Sequence, residues 1–173
     1  MVKIKVIQMK NLVSLSITII VLSLPFFSHA QQNKMVLIPL LHKYYNIKNS
    51  LVNSDVALAS KEGNEFFALL KQVEIKTLET KDQILFKSLE SKFEINAKKI
   101  ADTKDIKLQR LSFSELSETL RTLLKNTKLI SEVVYVDYCH MKKVYWLSNE
   151  SSIRNPYYGN TMLTCGSINE TLK

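Results

Sequence analysis

Glycine and proline are almost absent from a long stretch of this chain. Between Gln31 and Asn126 there is one proline, Pro39, and one glycine, Gly63. These two residue types interrupt regular structure most strongly, so their scarcity favours helix. Apolar residues recur in the same stretch at three- and four-residue spacing, as on one face of a helix. The sequence therefore predicts four amphipathic helices between residues 35 and 128, with Gly63 where a neighbouring helix comes close.

Local signals predict where the later helices begin. Ser54 is a candidate N-cap for the second helix, because a serine hydroxyl can accept a free backbone N–H there. Thr80 and Gln83 have the spacing of a capping box at the start of the third helix. The fourth helix is expected to begin near Asp102-Thr103. Short connections between helices of about 15 to 25 residues predict an antiparallel four-helix bundle.

The pattern changes after Lys128. Residues Glu132–Tyr138 are rich in valine and tyrosine, which is typical of a strand, and Lys143–Leu147 is a second candidate. We refer to residues 129–173 as the tail. The tail is too short to build its own core, so it is expected to dock on the helices. The predicted fold class is mainly α: an antiparallel four-helix bundle with a small C-terminal strand and loop cap.

The N-terminal thirty residues resemble a secretory signal peptide. Three lysines precede an apolar run from Leu12 to Phe27, and a small-x-small site ends at Ala30. The alternative is a retained membrane anchor, but a spanning helix needs about 20 apolar residues, and Pro25 interrupts the run near its end. We expect cleavage between Ala30 and Gln31, and no stable membrane insertion after it. The protein would then be periplasmic or secreted.

The predicted mature chain is one domain, residues 31–173. Cleavage removes three of the 24 basic residues and none of the 16 acidic ones, which leaves 21 against 16 and a net charge of +5. The excess is mild and mixed in sign along the chain. No basic stripe with interleaved aromatic residues occurs, so the sequence gives no support to nucleic-acid binding.

The two cysteines of the chain both lie in the tail among other soft-ligand residues. Cys139 is followed by His140 and Met141, and Cys165 is preceded by Met162. Cysteine and methionine sulfur prefer soft ions such as Cu(I), and imidazole also suits copper or zinc. The alternative is a Cys139–Cys165 disulfide, which an exported protein can retain. Closing a loop of that size would contribute about 3–4 kcal/mol.

Signatures of catalysis are absent from the sequence. It has no glycine-rich phosphate loop, no His-Glu-x-x-His and no Gly-x-Ser-x-Gly. Cys139 and His140 are neighbours on a predicted strand, where adjacent side chains point to opposite faces. They are therefore not expected to form a nucleophile and base pair. The sequence predicts a protein that is not an enzyme.

Several short motifs of the tail and of the fourth predicted helix resemble the domain of unknown function 3347. The tail motifs are Tyr138–Met141, Tyr145–Ser148, Ile153–Gly159 and Met162–Gly166, and the helical ones are Thr103, Asp105-Ile106, Gln109-Arg110, Phe113 and Leu116-Ser117. The resemblance runs from Met35 to Leu172.

This resemblance implies an exported, mainly helical domain. Relatives of this kind occur alone or fused to periplasmic adaptor subunits of heavy-metal efflux systems. The family's usual tripeptide is Cys-Pro-Met, and His140 replaces the proline in this chain. Cys139, Met141, Met162 and Cys165 match the family's pattern. The resemblance therefore implies a soft-metal context for the tail.

The sequence thus predicts an exported accessory protein that binds or hands on a soft metal ion, with copper as Cu(I) expected. The thiolates of Cys139 and Cys165 would bind the ion, together with Met141, Met162 and His140. The alternative is a non-catalytic interaction module of the cell envelope with a Cys139–Cys165 disulfide, and a thiol redox protein is a third hypothesis. The expected partner is a metal-efflux or other envelope protein. The residues expected to wall the site are Tyr138, Trp146 and Tyr157.

Overall fold

The computed structural model describes residues 37–173, which form four α-helices followed by a three-stranded antiparallel sheet. The predicted mainly helical fold with a strand cap is confirmed. The predicted signal peptide lies outside the described residues. Within residues 37–173, no helix is long and apolar enough to cross a membrane. The elements are α1 (Ile38–Val52), α2 (Val56–Leu70), α3 (Thr80–Asp102), α4 (Ile106–Asn126), β1 (Val134–Cys139), β2 (Val144–Ser148) and β3 (Ser167–Leu172).

Consecutive helices pack against each other, α1 with α2, α2 with α3 and α3 with α4. Gly63 in α2 marks the close approach to α3. A Cβ atom at Gly63 would lie 3.1 Å from Cγ2 of Ile100 and 3.2 Å from the backbone of Ala97 and Ala101. These distances are tighter than ordinary van der Waals contacts, so the prediction that a neighbouring helix comes close at Gly63 is confirmed.

The predicted caps of α2 and α3 are wrong. Ser54 has a φ of +58° and follows α1 in a Schellman turn, in which the N–H of Asp55 donates to the carbonyl of Ser50 at 2.9 Å. Asp55 is the N-cap of α2, and its carboxylate accepts from the N–H of Leu58. Thr80 is already helical, and Gln83 donates to a carbonyl before the helix instead of closing a capping box.

The remaining caps and boundaries differ less from the prediction. The fourth helix begins at Ile106 and is capped by Asp105, whose carboxylate accepts from the N–H of Lys107 at 2.7 Å. The two predicted strands exist with shifts of one or two residues at their ends. The third strand, β3, was not predicted. Its sequence Ser-Ile-Asn-Glu-Thr-Leu is polar and largely exposed, so it lacks the apolar alternation on which strand prediction depends.

The strand β1 is the centre of the sheet and pairs with both neighbours in the order β2-β1-β3. The tail docks on the helices mainly through β2, which packs on α4. Tyr44 of α1 links the two parts, because its hydroxyl accepts the N–H of Leu147 at 2.9 Å and lies 2.7 Å from the hydroxyl of Ser117. Trp146 and Leu147 belong to the same buried cluster as the helix core. The tail therefore shares the helices' core, as predicted.

Replacing Gly63 with valine is expected to destabilise the protein by about 1–3 kcal/mol, because the new methyl groups would overlap the surface of α3. The free energy of unfolding in urea measures this loss. Ala68→Val is the matched control, since Ala68 is exposed on the same helix. The control should lose only about 0.5 kcal/mol through helix propensity. Equal losses in the two variants would contradict the close approach of α2 and α3.

Candidate functional site

The two cysteines lie at neighbouring points of the sheet. Cys139 is the last residue of β1 and is fully buried, whereas Cys165 lies in the turn before β3 and is half-buried. Tyr138 pairs with Ser167 across β1 and β3, so one further step along the ladder places Gly166 opposite Cys139. Both thiols are free within the part of the chain that the structure describes.

Asn155 connects the two cysteines. Its side-chain amide donates to Sγ of Cys139 at 3.3 Å and to the backbone carbonyl of Cys165 at 2.6 Å. The amide oxygen of Asn155 accepts the N–H of Tyr157 at 2.8 Å. Asn155 is fully buried, so these bonds compensate for the loss of water around its amide. One side chain therefore fixes the position of both cysteines relative to the loop between β2 and β3.

The structure places Met162 in the same turn as Cys165 and leaves two other predicted ligands, His140 and Met141, exposed. The N–H of Cys165 donates to the carbonyl of Met162 at 3.1 Å, which holds both residues in one turn. His140 is exposed, and its Nε2 lies 3.0 Å from the hydroxyl of Ser167. Met141 is 64% exposed in the turn after β1. We call Cys139, Met162 and Cys165 the thiol site.

No group of three or more His, Cys, Asp or Glu residues within positions 37–173 is arranged to hold a metal ion. The five-residue ligand set remains a prediction. Cys139 is buried and Met162 and Cys165 are half-buried, whereas His140 and Met141 are exposed.

Two of the three predicted wall residues lie on the cysteine side of the sheet. Trp146 is fully buried and meets the ring of Tyr157 edge-on, with centroids 6.0 Å apart. The hydroxyl of Tyr157 donates to the carbonyl of Tyr145. Tyr138 instead packs with Tyr145, at 4.8 Å between centroids, and with His140. Alternate residues of a strand share a face, so Tyr138 and His140 lie on the face opposite Cys139.

Glycine is required beside Cys165 for steric reasons. A Cβ atom at Gly166 would lie 2.7 Å from Cη2 of Trp146 and 2.8 Å from the carbonyl oxygen of Tyr138. Gly166 also has a φ of +148°, which side-chain-bearing residues rarely adopt. The indole of Trp146 therefore closes over the turn that carries Cys165.

Arg110 of α4 fastens the same loop to the helices. Its Nε donates to the carbonyl of Pro156 at 2.8 Å, and its Nη2 donates to the carbonyl of Leu51 and to the hydroxyl of Ser54. Gly159 passes so close that a Cβ atom there would lie 2.8 Å from Nη2 of Arg110. One guanidinium thus joins the end of α1, the α1–α2 turn and the loop beside the thiol site. The sequence shows only an arginine on a helix face and gives no signal of this role.

A buried lysine and a buried aspartate lie where α1 meets β1 and β2, and both were missed. Lys48 of α1 is fully buried, and its Nζ donates to the hydroxyl of Ser148 at 3.2 Å. Asp137 is also fully buried, and neither of its carboxylate oxygens has a hydrogen-bond partner among residues 37–173. Asp137 pairs with Trp146 across the ladder, so the two side chains share a face of the sheet.

Burial changes the protonation of both groups. Desolvation raises the pKa of Asp137 from 3.8 to about 7, although the positive charge of Lys48 opposes the shift. Desolvation likewise lowers the pKa of Lys48, against the attraction of Glu150 and Asp137. The carboxyl of Asp137 therefore takes up a proton near neutral pH, two residues from Cys139 on the same strand.

These features define a class: a mainly helical protein with a short sheet, in which one thiol ends a strand and the other lies in a loop that an asparagine and an arginine hold. A sequence model of the family described as "Protein of unknown function (DUF3347)" matches residues 40–132. This is more than half of the 173 residues, and the chain belongs to this family. The match covers α1 to α4 and ends before β1, so the cysteines lie beyond it. No curated protein and no solved structure matches the chain.

Replacing Asn155 with alanine is expected to destabilise the protein by about 2–4 kcal/mol, because the carbonyl of Cys165 and the N–H of Tyr157 would lose their buried partner. Urea unfolding measures the loss. Asn160→Ala, at an exposed position of the same loop, should change stability by less than about 0.5 kcal/mol. A loss at Asn155 no larger than at Asn160 would show that this amide does not hold the loop.

Replacing Asp137 with asparagine is expected to remove a pH dependence of stability. The folded protein binds this proton more tightly than the unfolded chain, so the contribution of Asp137 is present below the unfolded pKa of 3.8 and is lost as pH rises toward about 7. Between about pH 4 and about pH 8, Asp137→Asn should gain stability relative to wild type by on the order of 3 kcal/mol. Urea midpoints across that range measure the difference.

The control for this pH series is Asp102→Asn, because the side chain of Asp102 is 63% exposed. Its stability difference from wild type should stay constant across the range. A constant difference for Asp137→Asn as well would mean that Asp137 titrates as it does in the unfolded chain.

Proposed function

We propose that this chain is an exported accessory protein that binds or hands on a soft metal ion, with copper as Cu(I) the expected cargo. The observation that carries the proposal is the contact of the Asn155 amide with Sγ of Cys139 and with the carbonyl of Cys165, at 3.3 and 2.6 Å. Two cysteines that are far apart in sequence are thereby held around one polar group. The resemblance to domains fused to heavy-metal efflux adaptor subunits supports the same function.

The thiol site supplies the donors that Cu(I) prefers. Cys139 and Cys165 would bind as thiolates, and Met162 would add a thioether from the same turn. His140 and Met141 are exposed in the turn after β1 and would pass the ion on. Trp146 and Tyr157 form the apolar wall behind Cys139, which limits access of water and oxidants.

Loading this site changes the protonation of the cysteines. The Asn155 amide can keep its contact with Sγ of Cys139, because a thiolate sulfur has three lone pairs and can bind a metal while it accepts an N–H. Both thiols must lose their protons, so binding should weaken as pH falls. Cys165 is the more exposed of the two cysteines and provides the point of entry, while the buried Cys139 is the inner ligand.

The cellular setting belongs to the same proposal. A signal peptide cleaved between Ala30 and Gln31 would deliver residues 31–173 to the periplasm or the exterior. The partner would be a metal-efflux or other envelope protein. An antiparallel bundle arrangement of the four helices is the scaffold that we propose for presenting the tail to such a partner.

The second candidate is a non-catalytic interaction module in which Cys139 and Cys165 form a disulfide. This candidate is favoured by the side chain of Asn155, which contacts Sγ of Cys139 and the backbone carbonyl of Cys165 and so keeps the two residues near each other. Oxidation would lock the tail to itself and remove the thiolates. The two candidates therefore require opposite redox states of the same pair.

Reduced protein is expected to take up one Cu(I) in an anaerobic competition titration against a chromogenic chelator. Cys139→Ser and Cys165→Ser should each abolish binding at that chelator strength, because one thiolate cannot replace two. Met162→Leu should weaken it by about tenfold, which corresponds to about 1.4 kcal/mol. Met141→Leu is the matched control and should bind as tightly as wild type, because Met141 is exposed.

Native mass spectrometry of protein extracted from the exporting compartment without reductant separates the two candidates. A mass lower by two hydrogen atoms, together with no copper uptake after reduction, would favour the disulfide module and contradict metal handling. Copper uptake that survives both serine substitutions would contradict the thiol site itself. Circular dichroism of each variant checks that the fold is kept.

A further inference from the structure

A second concave site lies between α4 and the tail and has Tyr157 in common with the proposed wall of the thiol site. We call it the basic cleft. Its volume is about 410 Å³, which is within the range of about 300–1,000 Å³ that small-ligand sites occupy. It is lined by Lys107, Arg110, Leu111, Ser114, Lys142, Val144, Tyr157 and Tyr158.

The charged side chains that line the basic cleft are all positive. Among the described residues that line it, Lys107, Arg110 and Lys142 are cationic and none is a carboxylate. A neighbouring cleft of about 660 Å³ between α3 and α4 has lysines as well, but Asp102 and Glu115 balance them. Three cations converging on one concavity without a counter-charge raise the local concentration of anions. The basic cleft therefore selects for negative charge, and its neighbour does not.

Arg110 gives the cleft a fixed cation. Its Nε and Nη2 are held by Pro156, Leu51 and Ser54, so the guanidinium does not have to be ordered when a ligand arrives. Burial lowers the pKa of Arg110, but a guanidinium stays protonated under all ordinary conditions. Lys107 and Lys142 are exposed and can move toward a bound anion.

Apart from Ser114, the rest of the lining is apolar or aromatic. Leu111 is 62% exposed and presents an aliphatic surface to the cleft. The ring of Tyr158 is half-buried and has Nζ of Lys142 at 5.7 Å from its centroid. A ligand that carries an apolar body beside its charge would cover these side chains and remove them from water.

We propose that the basic cleft binds a small organic anion. Its carboxylate, sulfonate or phosphate group would lie between Lys107, Arg110 and Lys142, and its flat apolar part would pack on Leu111 and Tyr158. Charge complementarity and volume carry this assignment. It does not depend on the thiol site, because none of the sulfur residues lines the cleft.

The test uses two dyes of nearly the same shape, 8-anilinonaphthalene-1-sulfonate and its uncharged analogue N-phenyl-1-naphthylamine. The sulfonate is expected to bind at one saturable site, and the neutral dye more weakly. Lys107→Gln combined with Lys142→Gln should weaken sulfonate binding by about tenfold, because charge-assisted contacts contribute more than neutral ones. Raised salt should weaken it in wild type and have less effect in the double variant.

The matched control is Lys98→Gln combined with Lys99→Gln, since these lysines line the neighbouring cleft. The control variant should bind the sulfonate as wild type does. Equal affinity in wild type and in the Lys107/Lys142 variant, or fluorescence that never saturates, would overturn the proposal. Cys165→Ser should leave dye binding unchanged, so failure of the metal proposal and failure of this one are distinguishable.

Discussion

The amide of Asn155 is the interaction on which the tail depends. This residue lies in a loop that has no ladder partner, yet its backbone N–H donates to Leu163, its carbonyl accepts from Gly159, and its side chain binds on both sides. Each of these bonds joins a different part of the loop between β2 and β3. A buried loop without regular structure is stable only when its polar groups are paired. Asn155 provides much of that pairing, and the spacing of the two cysteines follows from it.

The contact between helices and tail is polar as well as apolar. Tyr44 and Lys48 are one helical turn apart on α1, and they bind consecutive residues of β2, Leu147 and Ser148. From the other side, Arg110 holds the loop that follows β2. Hydrogen bonds of this kind depend on direction, whereas apolar packing tolerates sliding. The sheet therefore has one orientation on the helices, although it contributes little core of its own.

The sequence predicted those parts of the fold that depend on local pattern. The helices followed from apolar spacing, and the close approach at Gly63 followed from a glycine in the middle of a helix. The predictions of the helix caps failed because several residues near the start of each helix can accept a backbone N–H. Tertiary structure decides which of them does. Asp55 took the place of Ser54 in this way. The strand β3 was missed because an exposed edge strand has no buried face to mark it.

The site was less predictable than the fold, because its contacts join residues that are far apart in the sequence. The sequence identified the cysteines and methionines by chemistry, but residue pattern did not predict that Asn155 contacts both cysteines or that Arg110 binds the same loop from α4. The burial of Lys48 and Asp137 was not predicted either. The opposite orientation of Cys139 and His140 could be predicted, because it depends only on strand geometry. The ligand set and the nature of the cargo remain predictions, since they depend on a loaded state.

The polar character of β3 has a consequence for the protein's behaviour at high concentration. An outer strand presents unpaired backbone groups, which can recruit a strand from another molecule. In β3 the pairing with β1 is irregular between Val136 and Asp137, and Glu170 forms an ion pair with Lys125 at 2.8 Å. Both features make the edge a poor template for further strands. The polar residues that prevented the prediction of β3 from the sequence thus also protect the sheet against pairing with a strand of another molecule.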